Sequence, residues 1–337
     1  MIKINLIGLE GDLTMKHVKK ISSVIIASSI VMTTVGTAYA EESKIKNADF
    51  SDPVFIQGED LNKNQLDETK EKLNVKQDED TIKVGVNDVS KYVSSSSNLT
   101  NIYSSGTIEK KNFGSGVDVT IDTPDTIQKV TQEQYTNAAI TAGMKNVNIH
   151  IASVEPVTGE GALAGISKAY EEKGHTLNQN DVQNANQEMS DLNNISEENK
   201  GKDGYSDAAL NGSIADIKEQ LADIQKKQDE QLTEKQVEDV VNKVLDERGL
   251  NNMLTDNQKQ TITNNMVNLS QSNVFQNNPK DFGKQANKLL KSIDKNHGDL
   301  IEKAKNKFGE NQNIWEKFVA FIKNIIQVII DFFKSLF

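Results

Sequence analysis

Residues 135–174, YTNAAITAGMKNVNIHIASVEPVTGEGALAGISKAYEEKG, read as helix, strand, glycine-rich turn and second helix in unbroken succession. Ala138, Ala139, Ile140 and Ala142 give a small-residue helix face that ends at Gly143, where a residue without Cβ can take the left-handed C-cap conformation. Val147, Ile149 and Ile151 alternate with Asn148, His150 and Ala152, the period-two pattern of a half-buried strand. Pro156 to Gly161 then turns the chain into a second helical run carried by Ala162, Leu163, Ile166 and Ala169. These elements predict a small α+β core.

The same stretch carries a family resemblance. Tyr135, Asn137-Ala138-Ala139, Thr141-Ala142-Gly143, Thr158-Gly159, Ala162-Leu163, Gly165-Ile166 and Lys168-Ala169-Tyr170 resemble the secreted bacterial family called domain of unknown function 1002. The resemblance covers residues 50–173 and fades into similar helical character beyond. It implies a fold neighbourhood and brings no established activity with it.

At the start of the chain, Met15-Lys16-His17-Val18-Lys19-Lys20 is a basic n-region and residues 21–36 an apolar h-region. Ala38-Tyr39-Ala40 is a small-residue cleavage site before Glu41. We therefore expect residues 15–40 to be a signal peptide and the protein to be secreted or envelope-associated. Residues 1–14 are expected to precede the true translation start, because Glu10-Gly11-Asp12 can be encoded by codons containing a ribosome-binding sequence.

The chain has no cysteine, which excludes a disulfide framework, a thiolate metal site, a thiol nucleophile and a lipid-modified cysteine. Abundant Asn, Lys and Ile fit an AT-rich Gram-positive source. Loss of residues 1–40 removes four lysines and two acids, taking the formal net charge from −11 to −13. So acidic a molecule has no electrostatic footprint for nucleic acid.

A mature length near 300 residues can hold two modest domains. We expect an α+β domain at 41–174, a polar linker with a short helix at 175–206, a helical region at 207–311 and an amphipathic helix at 312–337. In the first, 54–57 and 81–89 read as strands with a helix over 59–73 between them. Thr107-Ile108 and the alternating 117–121 flank Gly114-Ser115-Gly116 as a hairpin. In the helical region, Leu210, Ile214, Ile217, Leu221 and Ile224 form a heptad-like seam. Capping boxes at Thr233/Gln236 and Thr255/Gln258 open two further helices, and another follows Pro279 with Phe282, Ala286, Leu289, Leu290 and Ile293.

Motifs for chemistry are sparse. Asp60, Asn62, Asn64 and Glu71 stand at ligand positions of a calcium loop, but Gln65 occupies the position that needs glycine, so a capped helix start is expected instead. Thr158, Gly159 and Gly161 could present backbone N–H groups to an anion, although Glu160 would repel one and no Walker lysine or dinucleotide fingerprint is present. His150, His175 and His297 share no metal-ligand spacing, and neither HExxH nor GxSxG occurs. No catalytic residue, metal or cofactor is expected.

The closing segment differs in kind. In 314–337 the polar positions Glu316, Lys323, Asn324, Gln327, Asp331 and Lys334 fall on roughly a third of a helical circle. Trp315, Phe318, Phe321, Ile322, Ile325, Ile329, Phe332, Phe333 and Leu336 lie on the wide apolar remainder. At about 25 cal/mol per Å² that face represents more than about 10 kcal/mol of transfer free energy. It is expected to dock on the helical half, on a membrane surface or envelope protein, or on a second copy. Glu316, Lys323 and Asp331 argue against a transmembrane span. The sequence thus favours a non-catalytic exported scaffold or recognition protein attached through this helix. An extracytoplasmic enzyme with its site near the Thr158 turn, and a membrane-lytic protein, are the alternatives.

Overall fold

The computed structural model describes residues 52–92 and 99–308. The signal-peptide segment 15–40, the stretch 1–14 and every candidate contact residue from Trp315 to Leu336 lie outside these residues.

Five strands form one mixed sheet: β1 (Val54–Gly58), β2 (Asp80–Val84), β3 (Ser105–Lys110), β4 (Val117–Ile121) and β5 (Val147–Ala152), in the order β2-β1-β3-β5-β4. Two βαβ units flank the central β3. α1 (Lys63–Lys72) joins the parallel pair β1 and β2, and α3 (Gln132–Thr141) joins the parallel pair β4 and β5. β3 runs antiparallel to both neighbours.

The expected β3–β4 hairpin does not form, because β5 lies between its two arms. β5 pairs over its full length with β3, from Ser105↔Ala152 to Lys110↔Val147, and on its other side with β4. In this position the backbone of β5 is paired along both edges, and its Val147, Ile149 and Ile151 are buried in the sheet-side core. The glycine-rich loop instead passes the start of β5, where Lys111 N–H donates to Asn146 C=O and Gly116 N–H to Asn146 Oδ1. The strand expected over 81–89 is also shorter. It stops at Val84, and Gly85 opens the one-turn α2 (Val86–Val89), whose Asp88 carboxylate accepts from Gly85 N–H.

α1 begins at Asn62, whose side chain accepts from Gln65 N–H while Gln65 Oε1 accepts from Asn62 N–H, a reciprocal cap. On its side of the sheet Phe55, Leu73 and Ala152 cluster with Leu66. On the opposite face lie α3 and α4 (Glu160–Glu172), with Val54, Ile56, Val119, Ile149, Ala138, Ala139, Leu163 and Ile166 in one apolar cluster.

Where the sequence reads as a polar linker with a short helix, the structure has the longer, 21-residue α5 (Gln179–Asn199). Val182, Ala185 and Met189 join the sheet-side cluster, whereas Leu192 and Ile195 join a second one. The apolar positions are few, but Asp181, Asn186, Glu188, Asn193 and Asn199 are also buried; Asp181 and Glu188 accept hydrogen bonds, and the three asparagines donate through Nδ2. A hydropathy pattern does not register burial of that kind.

The second cluster belongs to α6 (Asp207–Gln225), α7 (Glu234–Glu247), α8 (Asp256–Ser270), the short α9 (Asn273–Asn277) and α10 (Pro279–Phe308). The Thr233/Gln236 and Thr255/Gln258 capping boxes stand where they are expected, and the α6 seam is buried. α10 packs chiefly along α6 and bends at His297, whose φ and ψ of −132° and 20° are not helical.

α3 joins the two clusters. Every residue from Gln134 to Thr141 is buried; Ala138 and Ala139 face the sheet-side core and Ile140 the helical one. At this junction the Lys218 ammonium of α6, fully buried, donates to Glu188 Oε1 of α5 at 2.6 Å and to the Asn137 carbonyl of α3 at 3.0 Å. Thr141 Oγ1 donates to Glu188 Oε2, and Asn137 Nδ2 to the Asn211 carbonyl. Burial pulls the Lys218 ammonium below its ordinary range, while Glu188 pulls the other way.

Removing one partner leaves the other charged and unmet in the interior. Lys218→Met should therefore cost roughly 3–5 kcal/mol in urea denaturation. Lys218→Met/Glu188→Met should regain more than half of that loss; a double variant no more stable than the single one would contradict this account.

Candidate functional site

The Thr158 turn is where the sequence concentrates its glycines, and the fold closes it with the protein's own groups. Gly159 takes φ = 102° at the N-cap of α4, and a Cβ there would stand 2.5 Å from Tyr135 Oη and 2.9 Å from Ile127 Cγ2. Its carbonyl accepts from the Tyr135 hydroxyl and from Ala162 N–H. Burial, with the nearby Glu160 charge, pushes the Tyr135 phenol well above its ordinary value. The Thr158 carbonyl accepts from Val130 N–H, and Glu160 takes a hydrogen bond from Asn193 Nδ2. Gly161 is buried, with Ile102 and Leu99 as neighbours. The turn is thus a packing junction between α3, α4 and the 127–130 segment.

The family-like residues act together here as architecture. Tyr135 bonds Gly159, Asn137 receives Lys218, Gly143 takes φ = 91°, and Gly165 lets α4 approach Ile56 and Val84. Tyr170 Oη accepts from Lys145 N–H. Two of the three histidines of the sequence analysis have carboxylate partners. His150, part-exposed on the polar face of β5, lies 2.9 Å from Asp122, and His297 lies 3.4 Å from Glu133. His175 stacks on Tyr170 with centroids 4.4 Å apart.

A concavity absent from the sequence reading lies elsewhere, between the edge strand β4, the start of α3 and the middle of α10. Its volume is about 220 Å³, below the roughly 300 Å³ at which small-molecule sites begin. Val117, Val119, Leu289 and Ile293 give it apolar walls, and Gln132, Thr136, Ser292 and Asn296 a polar rim. At one end Lys288 reaches from α10 to Asp118 at 2.7 Å and to the Ser115 carbonyl at 3.1 Å, and Lys111 also pairs with Asp118. Burial pushes the Asp118 carboxyl up, but these two lysines outweigh it and hold the group below its ordinary value. The arrangement ties α10 to the sheet edge.

The other charged cluster that sequence reasoning missed surrounds Arg248, the single arginine of the chain. It is buried at the end of α7, with Nε 3.0 Å from Asp216 of α6 and Nη1 3.0 Å from Asp294 of α10. One planar fork thereby ties three helices together. The lone arginine among many lysines was the signal available in the sequence.

These features define a class: an α+β protein in which a helical half is built onto a mixed five-stranded sheet through a shared central helix. The chain belongs to the family described as protein of unknown function (DUF1002), which it matches over residues 57–289. The match runs past the residue-173 limit of the sequence resemblance and into α10, so the helical half is part of the family unit. The chain is also similar to the "Uncharacterized protein YpuA" of Bacillus subtilis (strain 168), at 29% identity over 321 residues, covering 94% of this chain and 100% of that one. No solved structure matches it significantly.

Two measurements check the site description. Gly159→Ala should destabilise the protein by more than about 2 kcal/mol, through both the left-handed backbone and the displaced Tyr135; a loss under half that would mean the turn is open. Because the folded Asp118 pKa is depressed, its contribution is present above the ordinary aspartate value of about 3.9 and disappears as pH falls through the lower folded value. Asp118→Asn should accordingly be less stable than wild type at neutral pH and converge with it in acid.

Proposed function

We propose that this is an exported, non-catalytic protein whose α+β and helical body serves as a scaffold or recognition module, attached to a membrane surface through residues 314–337. The observation that carries this reading is the composition of that segment. Placed at 100° per residue, its aromatic and branched positions take up about two-thirds of the circle and its polar positions the remaining third. Export is supported by the basic, apolar and small-residue regions of 15–40.

Support for a non-catalytic body comes from how its polar groups are used. Those at the Thr158 turn bond one another, and Lys218, Glu188 and Arg248 tie helices together. No helix among the described residues is long and apolar enough to cross a membrane. The apolar side chains of 54–293 gather in two main clusters within the described body.

The test is co-sedimentation of residues 41–337 and of 41–311 with neutral phosphatidylcholine vesicles. The longer chain should pellet with lipid and the shorter remain in solution. Equal partitioning of the two would refute attachment through the tail, and release of an entrapped dye would favour the lytic reading.

A further inference from the structure

Attachment by an amphipathic helix is strengthened when a cationic surface accompanies the apolar face. The 314–337 segment has little net charge to offer: its three lysines are largely offset by Glu316 and Asp331. The missing charge lies on α10.

Lys280, Lys284, Lys288, Lys291 and Lys295 are all exposed. At 100° per residue they fall within an arc of about 80°, and they span roughly 22 Å of helix. The arc is centred opposite the face formed by Phe282, Ala286, Leu289, Leu290 and Ile293, which are buried, so it points directly away from the core.

The row is unusual for this molecule. The formal net charge is −11, and the outer face of α7 mixes signs, with Lys235 beside Glu238 and Asp239. Between 280 and 295 on α10 the only acids are Asp281 and Asp294, which border the arc. Asp281 pairs with Lys284 at 3.1 Å, and Asp294 turns inward to Arg248. Asp118 takes Lys288, and Glu219 of α6, near Lys291, accepts a hydrogen bond from Asn287. Lys145, also exposed, lies close to Asp281 and extends the cationic surface toward the sheet.

We propose that the lysine row of α10 is a docking surface for a layer of anionic lipid headgroups. The inference rests on the membrane reading of 314–337 and assigns that membrane its charge. Two things favour a lipid layer over a soluble polyanion. The row is straight and one-sided, as a planar surface requires, and the same helix leads in sequence to the apolar segment. Each lysine near such a surface is worth about 1 kcal/mol, or roughly fivefold in partitioning.

The experiment compares vesicles of phosphatidylcholine alone with vesicles containing one-third phosphatidylglycerol, using residues 41–337 and 41–311. The variant is K280Q/K284Q/K291Q/K295Q, which spares Lys288 because it holds Asp118. A control, K63Q/K72Q/K76Q/K83Q, makes the same charge change at exposed positions on and around α1 and β2. Wild type should favour the anionic vesicles by more than about tenfold, the row variant by less than about twofold, and the control as wild type within about threefold. Raising salt to about 0.5 M should erase the preference.

Equal losses in row variant and control would reduce the effect to net charge and overturn the proposal. So would absence of an anionic preference in wild type, or row-dependent binding of soluble polyphosphate with none to vesicles. Failure of the tail reading is separate: it appears on neutral vesicles as equal binding by the two lengths, while the phosphatidylglycerol increment still reports on the row in both.

Discussion

Lys218 and Glu188 meet where the sheet layer and the helical half join, and the rest of the architecture depends on that contact being satisfied. A lysine and a glutamate taken out of water on two helices are tolerable only because Asn137 and Thr141 of a third helix supply the remaining hydrogen bonds. The arrangement fixes how α3, α5 and α6 sit against one another, since a small slip would leave a charge unmet. An apolar contact of the same size would tolerate several registers. α3 can therefore be buried over eight consecutive residues and carry both cores.

Close approach sets the other boundary of the fold. α4 reaches the sheet where Gly165 leaves Ile56 and Val84 within van der Waals distance of its backbone, and it begins at a glycine held between Tyr135, Ile127 and Val130. A glycine-rich turn before a helix is a common way to cradle an anion, and here the same chemistry serves packing. At Gly159 the space a Cβ would need is filled by Tyr135, Ile127 and Val130, and the glycine's carbonyl accepts from the Tyr135 hydroxyl. Around the helices, Arg248 and the Lys288–Asp118 pair fasten α10 to α6, α7 and the edge of the sheet.

α10 is thus an outer beam with two unlike faces, one apolar and buried, the other a row of lysines opposite it. In a strongly acidic molecule, cations gathered on one line create a local field whose sign differs from that of the whole. An apolar segment that follows in sequence and has almost no charge of its own would gain from that field. If the proposed attachment holds, the two would combine the electrostatic and apolar contacts that reversible binding to a bilayer surface generally uses.

The α+β class, the capped starts of α1, α7 and α8, and the buried stripes of α6, α7, α8 and α10 were legible in the sequence, because each rests on local spacing. Helix caps involve residues three apart, and amphipathic faces repeat within a turn or two. Sheet order was not legible: that β5 enters between β3 and β4 depends on which strand edges pair, a comparison among elements distant in the chain. The full length and burial of α5, where only a short helix within a polar linker was expected, escaped for a related reason, since Asp181, Glu188 and Asn193 are stable inside only through partners that folding brings from elsewhere. The cleft beside β4, the Arg248 fork and the solvent-facing direction of the α10 lysines were likewise decided in three dimensions, because burial and pairing of charge are properties of neighbours that the sequence does not place side by side.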